Sequence, residues 1–124
     1  MLLKYLRPFM LILPLMASGS LMAGEAPRFM SVIDDLPLME GLQEIGDGVQ
    51  FATSGGRIAE VTAKGSMTKT DVLDFYARTL PQLGWTYIKP DQFVREGETL
   101  ELVFEKTEGP LNVRFALAPT GAKK

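Results

Sequence analysis

The side chains that most often carry out chemistry in proteins are scarce in this sequence. It contains no histidine and no cysteine. The usual general base, the thiol nucleophile and the commonest zinc ligands are therefore lacking. A catalytic site would have to use carboxylates, lysine or tyrosine. We predict a protein that is not an enzyme and that needs no cofactor.

Two pairs of carboxylates are the remaining catalytic candidates, Asp34 with Asp35 and Glu96 with Glu98. A glycosidase needs two carboxyl groups that face each other across a cleft, about 5–10 Å apart. Glu96 and Glu98 flank a turn glycine, so we expect both to point into water. An enzyme or carbohydrate-binding protein that uses Glu96, Glu98 and Tyr87 is the alternative.

Acidic residues are also frequent in the segment that precedes the predicted domain. They lack the spacing of a calcium-binding loop, and a solvated acidic segment is the favoured interpretation. We therefore predict no metal site. The residues concerned are Asp34, Asp35, Glu40, Glu44 and Asp47.

Trp85 and Tyr87 are the candidate ligand-binding residues. They are two positions apart in a predicted strand, so both side chains lie on one face, where they could stack against a sugar or a peptide. The other interpretation places Trp85 in the core, because it directly follows the stop of a helix.

The charge balance argues against nucleic acid as a partner. The whole chain carries 13 Lys and Arg against 15 Asp and Glu, a net charge of −2. Loss of Lys4 and Arg7 with a leader changes this charge to −4. Such a surface repels phosphate backbones and anionic lipid head groups.

Residues 1–23 have the pattern of a signal peptide. A basic start with Lys4 and Arg7 precedes an apolar run, and small residues follow it. Cleavage after Gly19 and cleavage after Ala23 are both compatible with the sequence. The mature protein is then periplasmic. The alternative is a retained anchor, which would tether the protein to the membrane.

Residues 24–48 form an N-terminal arm that is rich in glycine and proline but also in large apolar side chains. We expect Leu38, Met39 and Leu42 to dock on the domain, since a free linker would have fewer such residues. The domain itself spans residues 49–119, and residues 120–124 form a disordered tail.

The first element of the domain is a predicted hairpin over residues 49–64, with the turn at Ser54–Gly56. A three-residue loop pairs Phe51 with Ala59 and Val49 with Val61. We predict this loop because it places these apolar side chains on one buried face.

A helix over residues 68–83 follows. Thr68 and Asp71 have the spacing of a capping box, and Gly84 is a natural stop. Side chains that recur at helical spacing form the predicted buried stripe. They are Val72, Phe75, Tyr76, Thr79, Leu80 and Leu83.

Four predicted strands complete the chain, over residues 85–89, 93–96, 99–106 and 111–118. The last two alternate between apolar and polar residues. Short links favour antiparallel pairing. We predict an α+β fold, a twisted antiparallel sheet in the order ββ-α-ββββ with one amphipathic helix packed on it.

One segment also resembles a known pattern. The residues 75–85, with the sequence FYARTLPQLGW, are similar to an FY-x3-LP-x-LGW helix-to-strand segment in small, functionally uncharacterised bacterial envelope (periplasmic) proteins. The likeness implies an accessory or binding module and transfers no catalytic residue. We therefore predict an exported accessory or binding protein of the cell envelope, with another envelope protein as its partner.

Overall fold

The computed structural model describes residues 28–121. The predicted leader, its two cleavage positions and the last three residues of the tail lie outside the described residues. The described elements follow in chain order. They are β1 (Arg28–Phe29), β2 (Pro37–Leu38), β3 (Gln43–Thr53), β4 (Gly56–Gly65), α1 (Lys69–Thr79), a 3₁₀ turn (Leu80–Leu83), β5 (Thr86–Lys89), β6 (Gln92–Arg95), β7 (Glu98–Lys106) and β8 (Leu111–Pro119).

The strands form a six-stranded antiparallel sheet in the order β3-β4-β8-β7-β6-β5, while β1 and β2 form a small separate pair. The helix packs on the large sheet, and the predicted α+β fold is confirmed. The long strand β8 lies in the interior of the sheet between β4 and β7. The two edges belong to β3 and β5.

One face of the sheet forms the core with the helix. Apolar side chains alternate inward along β4, β7 and β8, as strand geometry requires. The ring of Tyr76 on α1 meets the ring of Phe115 on β8 edge to face, with centroids 5.2 Å apart. The most deeply buried members from β4 to β8 are Ala59, Val61, Ala63, Phe93, Leu100, Leu102, Leu111, Val113, Phe115 and Leu117.

The predicted capping box is present at the start of α1. The Thr68 hydroxyl accepts a hydrogen bond from the Asp71 N–H, and the Asp71 carboxylate accepts one from the Thr68 N–H, both at 3.0 Å. At the other end, Gly84 adopts φ +97°, a conformation that favours glycine. Leu83, which the predicted stripe included, is 41 % exposed.

The N-terminal arm docks on the same side as the helix. Leu38 and Leu42 are buried and Met39 is partly buried, which confirms the expected docking. The Tyr76 hydroxyl donates to the Pro37 carbonyl at 2.8 Å and accepts from the Met39 N–H at 3.0 Å. Because one buried side chain makes both bonds, it joins the helix to the arm.

The predicted register of the first hairpin is wrong. Thr53 pairs with Gly56, so the turn contains two residues, and Phe51 lies opposite Ile58. The Thr53 hydroxyl stabilises this short turn by accepting from the Gly55 N–H and donating to the Gly56 carbonyl. A shift of one residue moves side chains to the other face of a strand. Phe51 therefore faces away from the core.

Strand β3 is also longer than predicted, since it begins at Gln43. The pairing with β4 shifts between Ile45 and Val49, where Gly46–Gly48 forms a bulge. Between residues 28 and 121 we find no helix with the length and hydrophobicity that a membrane crossing needs.

Candidate binding surface

The helix and the arm cover one face of the large sheet, and no element of the described chain covers the other, which we call the open face. A groove with a volume of about 480 Å³ runs across this face. Its centre is at β8, and its sides are formed by β4 and β7. The groove is lined by Ile58, Glu60, Gln92, Thr99, Glu101, Val103, Arg114, Ala116, Leu117, Ala118, Pro119 and Gly121.

The shape of the groove follows from small residues on the central strand. Ala116 and Ala118 are the open-face residues at this end of β8 and form the floor. Glu60 on β4 and Glu101 on β7 are the register partners of Ala116. The two glutamates therefore flank one alanine from opposite sides, and their Cα atoms lie about 10 Å apart at the usual strand spacing.

Charges along the groove are only partly paired. Arg114 donates through Nε to Glu105 at 2.9 Å and reaches Glu60 through Nη1 at 3.4 Å. The hydrogen bond with Glu105 is the largest cause that raises the pKa of Arg114. One guanidinium thus serves two carboxylates, and its contact with Glu60 is partly buried.

The edge of β3 is the second notable part of this surface. Val49 is 50 % exposed and Phe51 is 52 % exposed, and both side chains lie on the open face because Glu60 and Ile58 are their register partners. All residues from Val49 to Thr53 are exposed and none is charged. This half of the edge has none of the lysines or prolines that commonly protect edge strands.

The arm contacts the first half of β3 at two positions, Glu44 and Gly48. The Glu44 carboxylate accepts hydrogen bonds from the Ser31 N–H at 2.8 Å and from its hydroxyl at 2.7 Å. A Cβ at Gly48 would lie 3.1 Å from the Val32 side chain and 3.1 Å from the Glu60 carbonyl. The segment Val49–Thr53 lies beyond these two contacts and, unlike the first half with Glu44 and Asp47, carries no charge.

The opposite edge strand, β5, is shorter than β3 and differs from the segment Val49–Thr53 in its lysine and in the regularity of its pairing. It has four residues, ends in Lys89 before Pro90, and its pairing with β6 is irregular between Tyr87 and Lys89. Short length, lysine and an irregular register all oppose the addition of another strand. Ile88 and Tyr87 are nevertheless about as exposed as their counterparts on β3, at 49 % and 47 %.

The predicted pair of aromatic residues is divided between core and surface. Trp85 is 3 % exposed, and the guanidinium of Arg95 lies 4.3 Å from its ring centroid. Its indole face is thus occupied, as in the core interpretation. Tyr87 is half-exposed, and its ring meets Phe93 edge to face at 5.6 Å. The two rings do not form one exposed platform.

The predicted carboxylate pairs also have separate environments. Glu98 receives two hydrogen bonds from Arg57, at 2.8 and 3.3 Å, and this contact raises the pKa of the Arg57 guanidinium. Glu96 is exposed in the turn at φ +49°. Asp35 pairs with Arg95, which ties the arm to the sheet. In residues 28–121, we find no group of three acidic residues arranged to hold a metal ion.

Sequence reasoning missed the residues that form the groove. Glu60 and Glu101 are recognisable as outward-facing positions of alternating strands. Their position on either side of Ala116, however, follows from the strand order β4-β8-β7. No family model, curated protein or solved structure matches this chain.

Proposed function

We propose that this chain is an exported, periplasmic accessory protein of the bacterial cell envelope that acts without catalysis, by binding another envelope protein. Its free β3 edge is the site that binds the partner. The observation that carries this proposal is the exposed, uncharged segment Val49–Thr53 at one edge of the large sheet.

Strand addition explains how this edge binds. An extended segment of the partner pairs its main chain with the free N–H and C=O groups of β3, and alternate side chains supply specificity. On the open face, the partner's side chains contact Val49 and Phe51. Cross-strand pairs of aromatic and β-branched residues each stabilise a sheet by about 0.2–1 kcal/mol. An apolar partner segment is therefore favoured.

The β3 edge can be tested against the β5 edge within one molecule. Phe51 and Tyr87 are aromatic, similarly exposed and located on opposite edge strands. A photo-crosslinking amino acid at position 51 is expected to form an adduct with an envelope protein in living cells. The same label at position 87 is expected to form none. Mass spectrometry of the adducts identifies the partner and the segment that contacts β3.

Binding to the identified partner is then measured with purified proteins. Phe51→Lys places a charge beside the added strand and is expected to weaken the affinity at least about tenfold, which corresponds to 1.4 kcal/mol. Tyr87→Lys is expected to change it less than about twofold. Equal losses in the two variants, or adducts at position 87 but not at position 51, would contradict the proposal.

Export is tested by the mass of the mature protein. We expect the protein from a periplasmic extract to lack the first 19 or the first 23 residues, since both cuts suit the sequence. Intact-mass spectrometry distinguishes these products from the full chain of 13.7 kDa. A full-length chain in the membrane fraction would indicate the retained anchor, and a full-length chain in the cytosol would contradict export.

A further inference from the structure

The groove on the open face exists because of the side chains on β8. Toward the core, this strand carries Phe115 and Leu117, whereas Ala116 and Ala118 face the open side. Alanine leaves an open channel between the longer side chains of the neighbouring strands. A larger residue at position 116 would fill it. The groove is thus a property of two alanines and does not require a gap in the core.

The walls of the groove carry an excess of negative charge. Glu60 and Glu101 stand on either side of Ala116. Arg114 makes its shorter contact with Glu105, at 2.9 Å, and its contact with Glu60 is longer, at 3.4 Å. The lining of the groove therefore carries two carboxylates against one guanidinium, which is shared with Glu105 outside the groove.

Glu101 has a neutral partner. Its carboxylate accepts a hydrogen bond from the Gln92 amide at 3.3 Å. Further along the groove from the two glutamates, the walls are apolar or weakly polar, with Ile58 on one side and Thr99 on the other. The groove thus combines an apolar floor with carboxylates at two opposite points.

From this combination we infer that the groove is a second binding site, for a linear aliphatic polyamine. The methylene chain of the ligand crosses the groove over Ala116, from one wall to the other. Its ammonium groups donate to Glu60 and Glu101. Hydrogen bonds between ionised groups are stronger than neutral ones, and the groove volume of about 480 Å³ accommodates a slender chain. This site is separate from the free main chain of the β3 edge.

The test is a titration of the mature protein with spermidine at low salt, in which NMR monitors the backbone amides. Shifts are expected at β4, β7 and β8, and the affinity is expected to fall as salt screens the charges. Ala116→Leu fills the groove and is expected to abolish the shifts. Ala118→Leu provides the same test should the first variant fail to fold. Thermal melting of each variant checks its fold.

A matched pair of charge variants separates the groove from the overall charge of the protein. The double variant Glu60→Gln with Glu101→Gln is expected to weaken spermidine binding at least about tenfold. The control double variant Glu40→Gln with Glu108→Gln removes two carboxylates from exposed positions outside the groove and is expected to leave it unchanged. Equal losses in the two would overturn the proposal, because they would indicate non-specific attraction.

Two further probes identify the chemistry that is recognised. A neutral alkanediol of matched length is expected not to bind, because it lacks the ammonium groups. A short lysine-containing peptide supplies ammonium groups on a polypeptide and is expected to bind more weakly than spermidine. Binding of the diol, tighter binding of the peptide, or persistence of the spermidine shifts in Ala116→Leu would each overturn the proposal.

Discussion

Replacing Phe115 with alanine is expected to lower the free energy of unfolding by about 3–5 kcal/mol. Phe115 is fully buried in the interior strand β8 and contacts the ring of Tyr76. Alanine leaves a cavity between the helix and the sheet, where both layers lose contacts. The total free energy of unfolding of a small domain is about 5–15 kcal/mol, so this variant should be only marginally folded. Urea denaturation at neutral pH measures the change.

Phe51→Ala is the matched control for that experiment. It removes the same ring from the exposed edge strand, where the side chain is 52 % exposed. Its effect on the free energy of unfolding is expected to remain within about 0.5 kcal/mol, as for most surface substitutions. Similar losses in the two variants would show that the register of β3 differs from the one described.

Replacing Tyr76 with phenylalanine is expected to lower the free energy of unfolding by about 1–3 kcal/mol. The ring remains in place, but the Pro37 carbonyl and the Met39 N–H lose their partner. Unsatisfied polar groups are costly where water cannot replace the lost bond. The variant should also loosen the arm. Limited proteolysis is therefore expected to cut residues 28–42 faster, and unchanged stability together with unchanged cleavage would contradict the role of this hydroxyl.

Because the Tyr76 hydroxyl is buried, we also expect the protein to lose stability at alkaline pH. Burial raises the pKa of Tyr76 well above its ordinary value of 10.0, although the hydrogen bond from Met39 opposes this rise. Above about pH 10 the unfolded chain releases this proton while the folded chain retains it. The contribution of this hydroxyl to the free energy of unfolding is therefore fully present below that pH. Each pH unit above it lowers the free energy of unfolding by about 1.4 kcal/mol.

Unfolding curves between about pH 9 and 11.5 measure this loss. Tyr76→Phe has no hydroxyl to ionise, so its stability is expected to fall less steeply with pH than that of the natural chain. The two curves should converge as the pH rises, because only the natural chain loses the contribution of the buried hydroxyl. Parallel curves would contradict the assignment.

Local patterns predicted the helix and most of the strands. The capping box of Thr68 and Asp71 joins residues three positions apart, and the stop at Gly84 depends on one residue's conformation. Strands β7 and β8 alternate so regularly that their buried faces were predicted correctly. Each of these signals acts within a few residues, so it is readable without knowledge of the fold.

The register of the first hairpin was not readable in this way. Glycines at positions 55 and 56 permit more than one turn, and the apolar pattern favoured the loop that would bury Phe51. The hydroxyl of Thr53 and the pairing of β4 with β8 are consistent with the shorter turn instead. The uncharged edge on which the proposed function rests therefore depends on a register that the apolar pattern alone did not predict.

By itself, the sequence determined the element types, the inward faces of the long strands and the absence of histidine and cysteine chemistry. Only the tertiary structure decided which strands are neighbours. It brought Glu60 and Glu101 to either side of Ala116 and left the uncharged segment Val49–Thr53 exposed at one edge of the sheet. The physical reason is that local patterns depend on neighbouring residues, whereas strand order depends on how distant apolar faces are buried together.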